Sequence, residues 1–142
     1  PGARRRMITQ AKCRSYKVDL FDGVHQPGDD YRIALYTNAA TLDKDTTAYT
    51  TTGEVVGTGY TAGGQSLTGR AVGLATDEAY LTFADPVWDP ATIDADGALI
   101  YNATRSNKAL CVLAFGETVS STNGPFTVDL PAAGAASLLG ID

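Results

Sequence analysis

One histidine, two cysteines and one tryptophan are all that 142 residues contain of these types, and each scarcity excludes something. A structural zinc site takes four ligands in a tetrahedron, mostly His and Cys. His25, Cys13 and Cys111 cannot fill one, and there is no Cys-x-x-Cys, so neither a metal nor a cofactor is expected. A nucleophile with a base would have to be built on His25. That residue sits between Val24 and the turn Gln26-Pro27-Gly28, where a structural hydrogen bond is the expected role. No Gly-x-Ser-x-Gly elbow occurs, and most acids fall in turn-like stretches such as Asp29-Asp30 and Asp43–Asp45. Asp94 and Asp96 begin like a calcium loop, but Gly97 comes too early and no closing glutamate follows. The expectation is a protein that is not an enzyme.

Long hydrophobic runs are missing too. None reaches the ~18 residues of a membrane-spanning helix. No apolar segment follows Arg4, Arg5 and Arg6, so no signal peptide is expected. The two cysteines lie far apart among apolar neighbours and are expected as buried thiols, not a disulfide.

Charge is sparse, at 19% of residues, but its distribution is uneven. Residues 1–17 carry Arg4, Arg5, Arg6, Lys12, Arg14 and Lys17 and no acid; the remaining chain carries five basic and sixteen acidic residues. A basic segment on an acidic body suits docking on an acidic protein surface. Nucleic acid is the poorer partner, because the acidic body repels phosphate and no aromatic residue interrupts "ARRRMITQAKCR". The stretch 5–22 reads as a helix with Met7, Ala11, Val18 and Phe21 on one stripe, stopped by Gly23. Residues 1–24 are thus expected to form a basic arm and helix, and 25–142 the body. Removing residues 1–12 is expected to leave the body folded.

What the chain has in quantity is glycine, threonine and short apolar alternations. "EVVGTGYTAGGQSLTG", residues 54–69, lacks the spacing of a dinucleotide fingerprint, and no amphipathic helix follows it. It reads as two strands around a turn at Gly63-Gly64. Gly57, Gly59, Gly63 and Gly64 leave the backbone bare enough to lie against a neighbouring chain. Strands are expected near 31–37, 54–60, 66–74, 78–84, 91–95, 97–103, 108–115 and 125–130. The dipeptide Asp96-Gly97 suits a tight hairpin, and Thr104–Lys108 and Ser121–Pro125 suit turns. Regular short strands of this kind indicate a mainly β protein, an antiparallel β-sandwich preceded by one α-helix. Trp88, between two Asp-Pro pairs, is expected to pin a loop on the core. The apolar content of the tail "GAASLLGID" suggests a final strand or short helix tied to the body or to a neighbour.

The stretches "YRIALYTNAATLDKDTTAYTTTGEVVGTGYTAGGQSLTG" and "LTFADPVWDPATIDADGALIYNATRSNKALCVLAFG" together resemble a family of small virion proteins encoded in the structural-gene clusters of tailed bacteriophages. The similarity runs from about Gly23 to Pro131, and "AYTTTGEVVGTGYTAGG" and "GALIYN" are its most specific parts. The resemblance implies a virion location after assembly in the host cytoplasm. It implies a jelly-roll-like cement or decoration protein that binds the major capsid protein and itself, as a dimer or trimer. It supplies no catalytic residues. The alternative within the particle is a tail or fibre module that stacks a host glycan on Trp88, Tyr60 or Tyr101.

Overall fold

The computed structural model describes residues 7–75 and 78–130. Its strands are β1 (Ala11–Lys12), β2 (Tyr31–Tyr36), β3 (Gln65–Ser66), β4 (Ala71–Ala75), β5 (Glu78–Thr82), β6 (Val87–Asn102) and β7 (Lys108–Thr127). One α-helix, α1, spans Arg14–Phe21, and a 3-10 turn spans Ala103–Arg105. Five strands form an antiparallel sheet in the order β1-β7-β6-β2-β3, and β4 and β5 form a separate antiparallel hairpin. The expected mainly β, antiparallel architecture with one helix ahead of it is what the chain adopts.

Two expectations fail in an instructive way. The strands expected at 91–95 and 97–103 are one continuous strand, and so are those at 108–115 and 125–130. Asp96-Gly97 and Asn123-Gly124 do not turn the chain; they lie along the ribbon that β6 and β7 make with each other. Between the pairs Ala95–Val119 and Gly97–Ala114, β6 spends one residue and β7 spends four. This irregularity takes up the chain that a turn was expected to use. Gly97 is needed here for closeness: a Cβ on it would stand 2.6 Å from the Leu113 carbonyl and 2.7 Å from Ile8.

The helix is shorter than expected. Residues 7–12 are extended instead, with Ile8 bridged to Leu42 and Ala11–Lys12 paired with Cys111–Val112 at the sheet edge. Backbone bonds from Thr9 to Leu42 and from Leu42 to Met7 fix this course. The nonlocal pairing outweighs a helical propensity that is only a weak prior. Gly23 does stop α1, as expected, with its N–H donated to the Leu20 carbonyl. The expected stripe does not face the core. Tyr16 and Asp19 are the buried helix residues, while Val18 and Phe21 point to solvent and Met7 lies outside the helix.

Ile8, Cys13 and Tyr16 join the same core as Ile33, Leu99 and Leu110. Residues 8–24 are therefore built into the body, and deleting residues 1–12 would remove a core isoleucine and an edge strand. β6 is buried at every position from Gly97 to Asn102, because both sheet faces are covered there. Asn102 faces α1 and His25; Tyr101, its neighbour, faces the connection 37–64 and stacks on Tyr49 at 4.8 Å. That connection has no strand of its own, contrary to the strand expected at 54–60. It touches the sheet through bridges at Glu54 and Thr58.

Candidate interaction surface

Two polar clusters and one apolar face compete for a functional reading. The first cluster holds the connection 37–64. Glu54 accepts hydrogen bonds from the Tyr49 hydroxyl (2.6 Å), the Tyr60 hydroxyl (2.5 Å) and the Gly63 N–H (2.8 Å). Tyr60 also accepts from the Leu35 N–H, and Tyr101 donates to the Gly63 carbonyl. Burial, with the Glu54 carboxylate behind it, holds the Tyr49 and Tyr60 phenols well above their ordinary range. Glu54 braces the loop from within, and the bonds at Tyr60 and Gly63 tie it to the sheet.

The second cluster lies beneath α1. The Asn102 amide donates to His25 Nδ1 (3.0 Å) and to Asp29 Oδ2 (2.8 Å), and its carbonyl accepts from the Thr104 N–H. The Thr104 donor fixes which end of the amide is oxygen. His25 Nδ1 is then an acceptor, and the imidazole proton sits on Nε2, 3.6 Å from Asp19 Oδ2. That separation allows charge attraction but is too long for a hydrogen bond. Burial pushes the His25 pKa down, so the ring is neutral. Paired bonds from Arg105 hold Asp29 well below the usual carboxylate range. A histidine beside a carboxylate could serve a nucleophile, but of the two tyrosine rings packed on it Tyr31 gives its hydroxyl to the Gln26 carbonyl, and burial pushes the Tyr16 phenol up to about 12. The cluster does what was expected of His25: it makes a structural hydrogen bond.

Other candidate groups are spent in the same way. Asp94 accepts from Ser120, and Asp96 from Thr118 and from the Asn38 N–H. No three His, Cys, Asp or Glu side chains among the described residues are placed to hold a metal ion. Trp88 is 6% exposed and packs on Tyr60 and Phe126, so it is anchored in the core, but from strand β6 and not from the expected loop. Tyr101 is 3% exposed, and Tyr60 is half-buried with its hydroxyl bonded inside, so neither Trp88 nor Tyr101 offers a ring face at the surface. Cys13 and Cys111 are buried free thiols, and burial raises Cys13 to about 11.

The expected partner-binding residues separate into two sets. The glycines do make close backbone approaches, but to their own chain. A Cβ on Gly57 would stand 2.6 Å from the Thr92 carbonyl, and one on Gly59 2.2 Å from the Pro90 carbonyl. Gly64, at φ +75°, has Ile33 in the way, and Gly63 gives both its N–H and its carbonyl to the tyrosine cluster. Packing inside the subunit accounts for Gly57, Gly59 and Gly64, and a φ of +94° accounts for Gly63. Among the basic residues, Arg4, Arg5 and Arg6 lie outside the described residues. Arg14 and Lys17 are exposed on α1, with Arg14 paired to Asp45 at 3.1 Å, and Lys12 is half-buried on β1. Met7 sits at the surface, just before the edge strand.

Alignment of apolar residues on the outside was not legible in sequence. Leu20 on α1 and Val72 and Leu74 on β4 are exposed around a groove between helix and hairpin that His25 also lines, and Val18 and Phe21 are exposed on the same helix. The groove has a volume of about 420 Å³, and Tyr16, Leu20, Tyr31 and Arg70 contribute to its walls. No family model, curated protein or solved structure matches the chain.

Proposed function

We propose that the chain is a structural protein of the bacteriophage virion, a capsid cement or decoration protein that binds the major capsid protein lattice. One observation carries the reading beyond the sequence resemblance. Asp29, Glu54, Asp94 and Asp96 are tied up in internal hydrogen bonds and His25 is bonded through Nδ1, whereas the outward groups of residues 14–21 are basic and apolar. A surface of this kind suits binding spread over many contacts. The basic residues Arg4, Arg5, Arg6, Arg14 and Lys17 steer the subunit toward an acidic surface on the lattice, and apolar contact beside them supplies burial.

Particles lacking the protein, mixed with purified chain at several salt concentrations, test this. The full chain should attach saturably. Loss of residues 1–6, which spares Ile8 and β1, should weaken attachment and reduce its salt dependence. No saturable attachment of the full chain would overturn the reading.

A further inference from the structure

We infer that the face made by α1 and the β4–β5 hairpin closes on a second copy of this chain, with Phe21 of each copy seated in the other's groove. The inference stands apart from the virion reading, because it concerns the purified chain alone.

Phe21 is 95% exposed, the largest apolar side chain left outside among the described residues, and Leu74 is 80% exposed across the groove. An aromatic side chain in water forfeits its main contribution to packing. Phe21 cannot fill the groove beside it. Leu20 lines that groove, and successive residues of a helix point ~100° apart, so Phe21 is turned away from the space its neighbour borders. A two-fold axis through this face seats each copy's Phe21 in the other's groove and closes the pair, whereas a knob and groove used on separate faces would build an open chain.

Charge agrees with this pairing. Asp22 follows Phe21 and is exposed, so an inserted Phe21 carries a carboxylate to the rim of the partner's groove. Arg70 stands there, with its guanidinium 5.9 Å from the Tyr31 ring centre. Its Nε is buried and has no hydrogen-bond partner among the described residues. The side chain is partly exposed, so a carboxylate brought in by the second copy would meet the accessible side of the guanidinium.

The sheet edges point the same way. The five-stranded sheet ends in two-residue strands, β1 and β3, which is how edges are protected against pairing. β4, Ala71–Ala75, is longer and carries no charge, and it borders the groove. An apolar strand left without such protection is a surface that a partner covers.

Sedimentation of the purified full chain over a concentration series tests the inference. A reversible dimer is expected, and Phe21→Asp should weaken it by at least ~100-fold, the loss typical of a central interface anchor. Circular dichroism should stay unchanged, and so should the urea midpoint at concentrations where the wild type is monomeric, since Phe21 touches little of its own subunit. Val56→Asp, equally exposed on the connection 37–64, should leave the dimer intact. Asp22→Arg should weaken association, and Asp22→Arg with Arg70→Asp should recover part of it. A wild-type chain that stays monomeric at roughly 100 μM, or sediments as a trimer, overturns the inference. So does a folded Phe21→Asp protein that dimerises like wild type. If the chain is monomeric and Phe21→Asp abolishes attachment to particles, the groove belongs to a different subunit and the inference is wrong.

Discussion

Replacing Glu54 by alanine should be among the most damaging single changes that leave the sheet core untouched. The carboxylate gathers three donors, the Tyr49 and Tyr60 hydroxyls and the Gly63 N–H, and so holds in place the two groups, Tyr60 and Gly63, that bond to Leu35 and Tyr101 of the sheet. Hydrogen bonds to a charged acceptor contribute about 1.5–3 kcal/mol each, less where water can replace them. Three such bonds, half-buried, give an expected loss of about 3–5 kcal/mol. With a urea slope of about 1.5 kcal/mol per molar, the unfolding midpoint should fall by about 2–3 M. Tyr60→Phe removes one donor and orphans the Leu35 N–H, at a cost of about 2 kcal/mol. Combining Tyr60→Phe with Glu54→Ala should cost less than the sum, because both changes remove the same bond. Chemical denaturation followed by tryptophan fluorescence suits the measurement, since Trp88 packs on Tyr60. A loss below about 1 kcal/mol for Glu54→Ala, or strict additivity in the cycle, would refute the fastening role.

Gly64→Ala should prevent folding or cost well over about 2 kcal/mol, because the new Cβ would stand 1.7 Å from the Ile33 carbonyl at a φ that favours glycine. Gly28→Ala, with nothing within 4 Å, should fall within about 0.5 kcal/mol of wild type; equal effects at the two sites would contradict the packing described. His25 is buried with a lowered pKa, so the unfolded chain takes up its proton first as the pH drops. Stability should be full above about pH 6.5 and decline below it, and His25→Gln should remove that part of the decline. An unchanged slope in the variant, seen in unfolding midpoints across the range, would show the imidazole to be charged or exposed. Cys13 and Cys111 should resist a thiol reagent in the native protein and react at once in denaturant; rapid native labelling of both would mean that the core opens readily.

Local pattern revealed some elements and hid others for definable reasons. Tyr31–Tyr36 and Glu78–Thr82 announce themselves by composition, and Thr104–Lys108 by its turn residues. Asp96-Gly97 and Asn123-Gly124 have the chemistry of hairpin turns, yet both lie within long strands whose pairing is set by each other. Residues 7–12 have a helical pattern, but a strand on β7 and a bridge to Leu42 claim them; such partners lie too far along the chain for periodicity to register. The tyrosine–glutamate cluster was equally hidden, although three tyrosines and one glutamate amid threonines and glycines hint at it. Asp19 shows why the helix was misread. A carboxylate on the inward face looks wrong until His25, six residues on, is seen against it. The outward Phe21 follows from that rotation of the helix, and the groove could only be found once the hairpin was placed.

The central claim, that this chain is a capsid-binding structural protein, is most directly tested by counting it in purified virions. Quantitative gel densitometry against the major capsid protein should give copies in the hundreds, on the order of the capsid protein itself, because cement occupies repeated lattice positions. A handful of copies per particle, released with the tail when heads and tails are separated, would contradict the account.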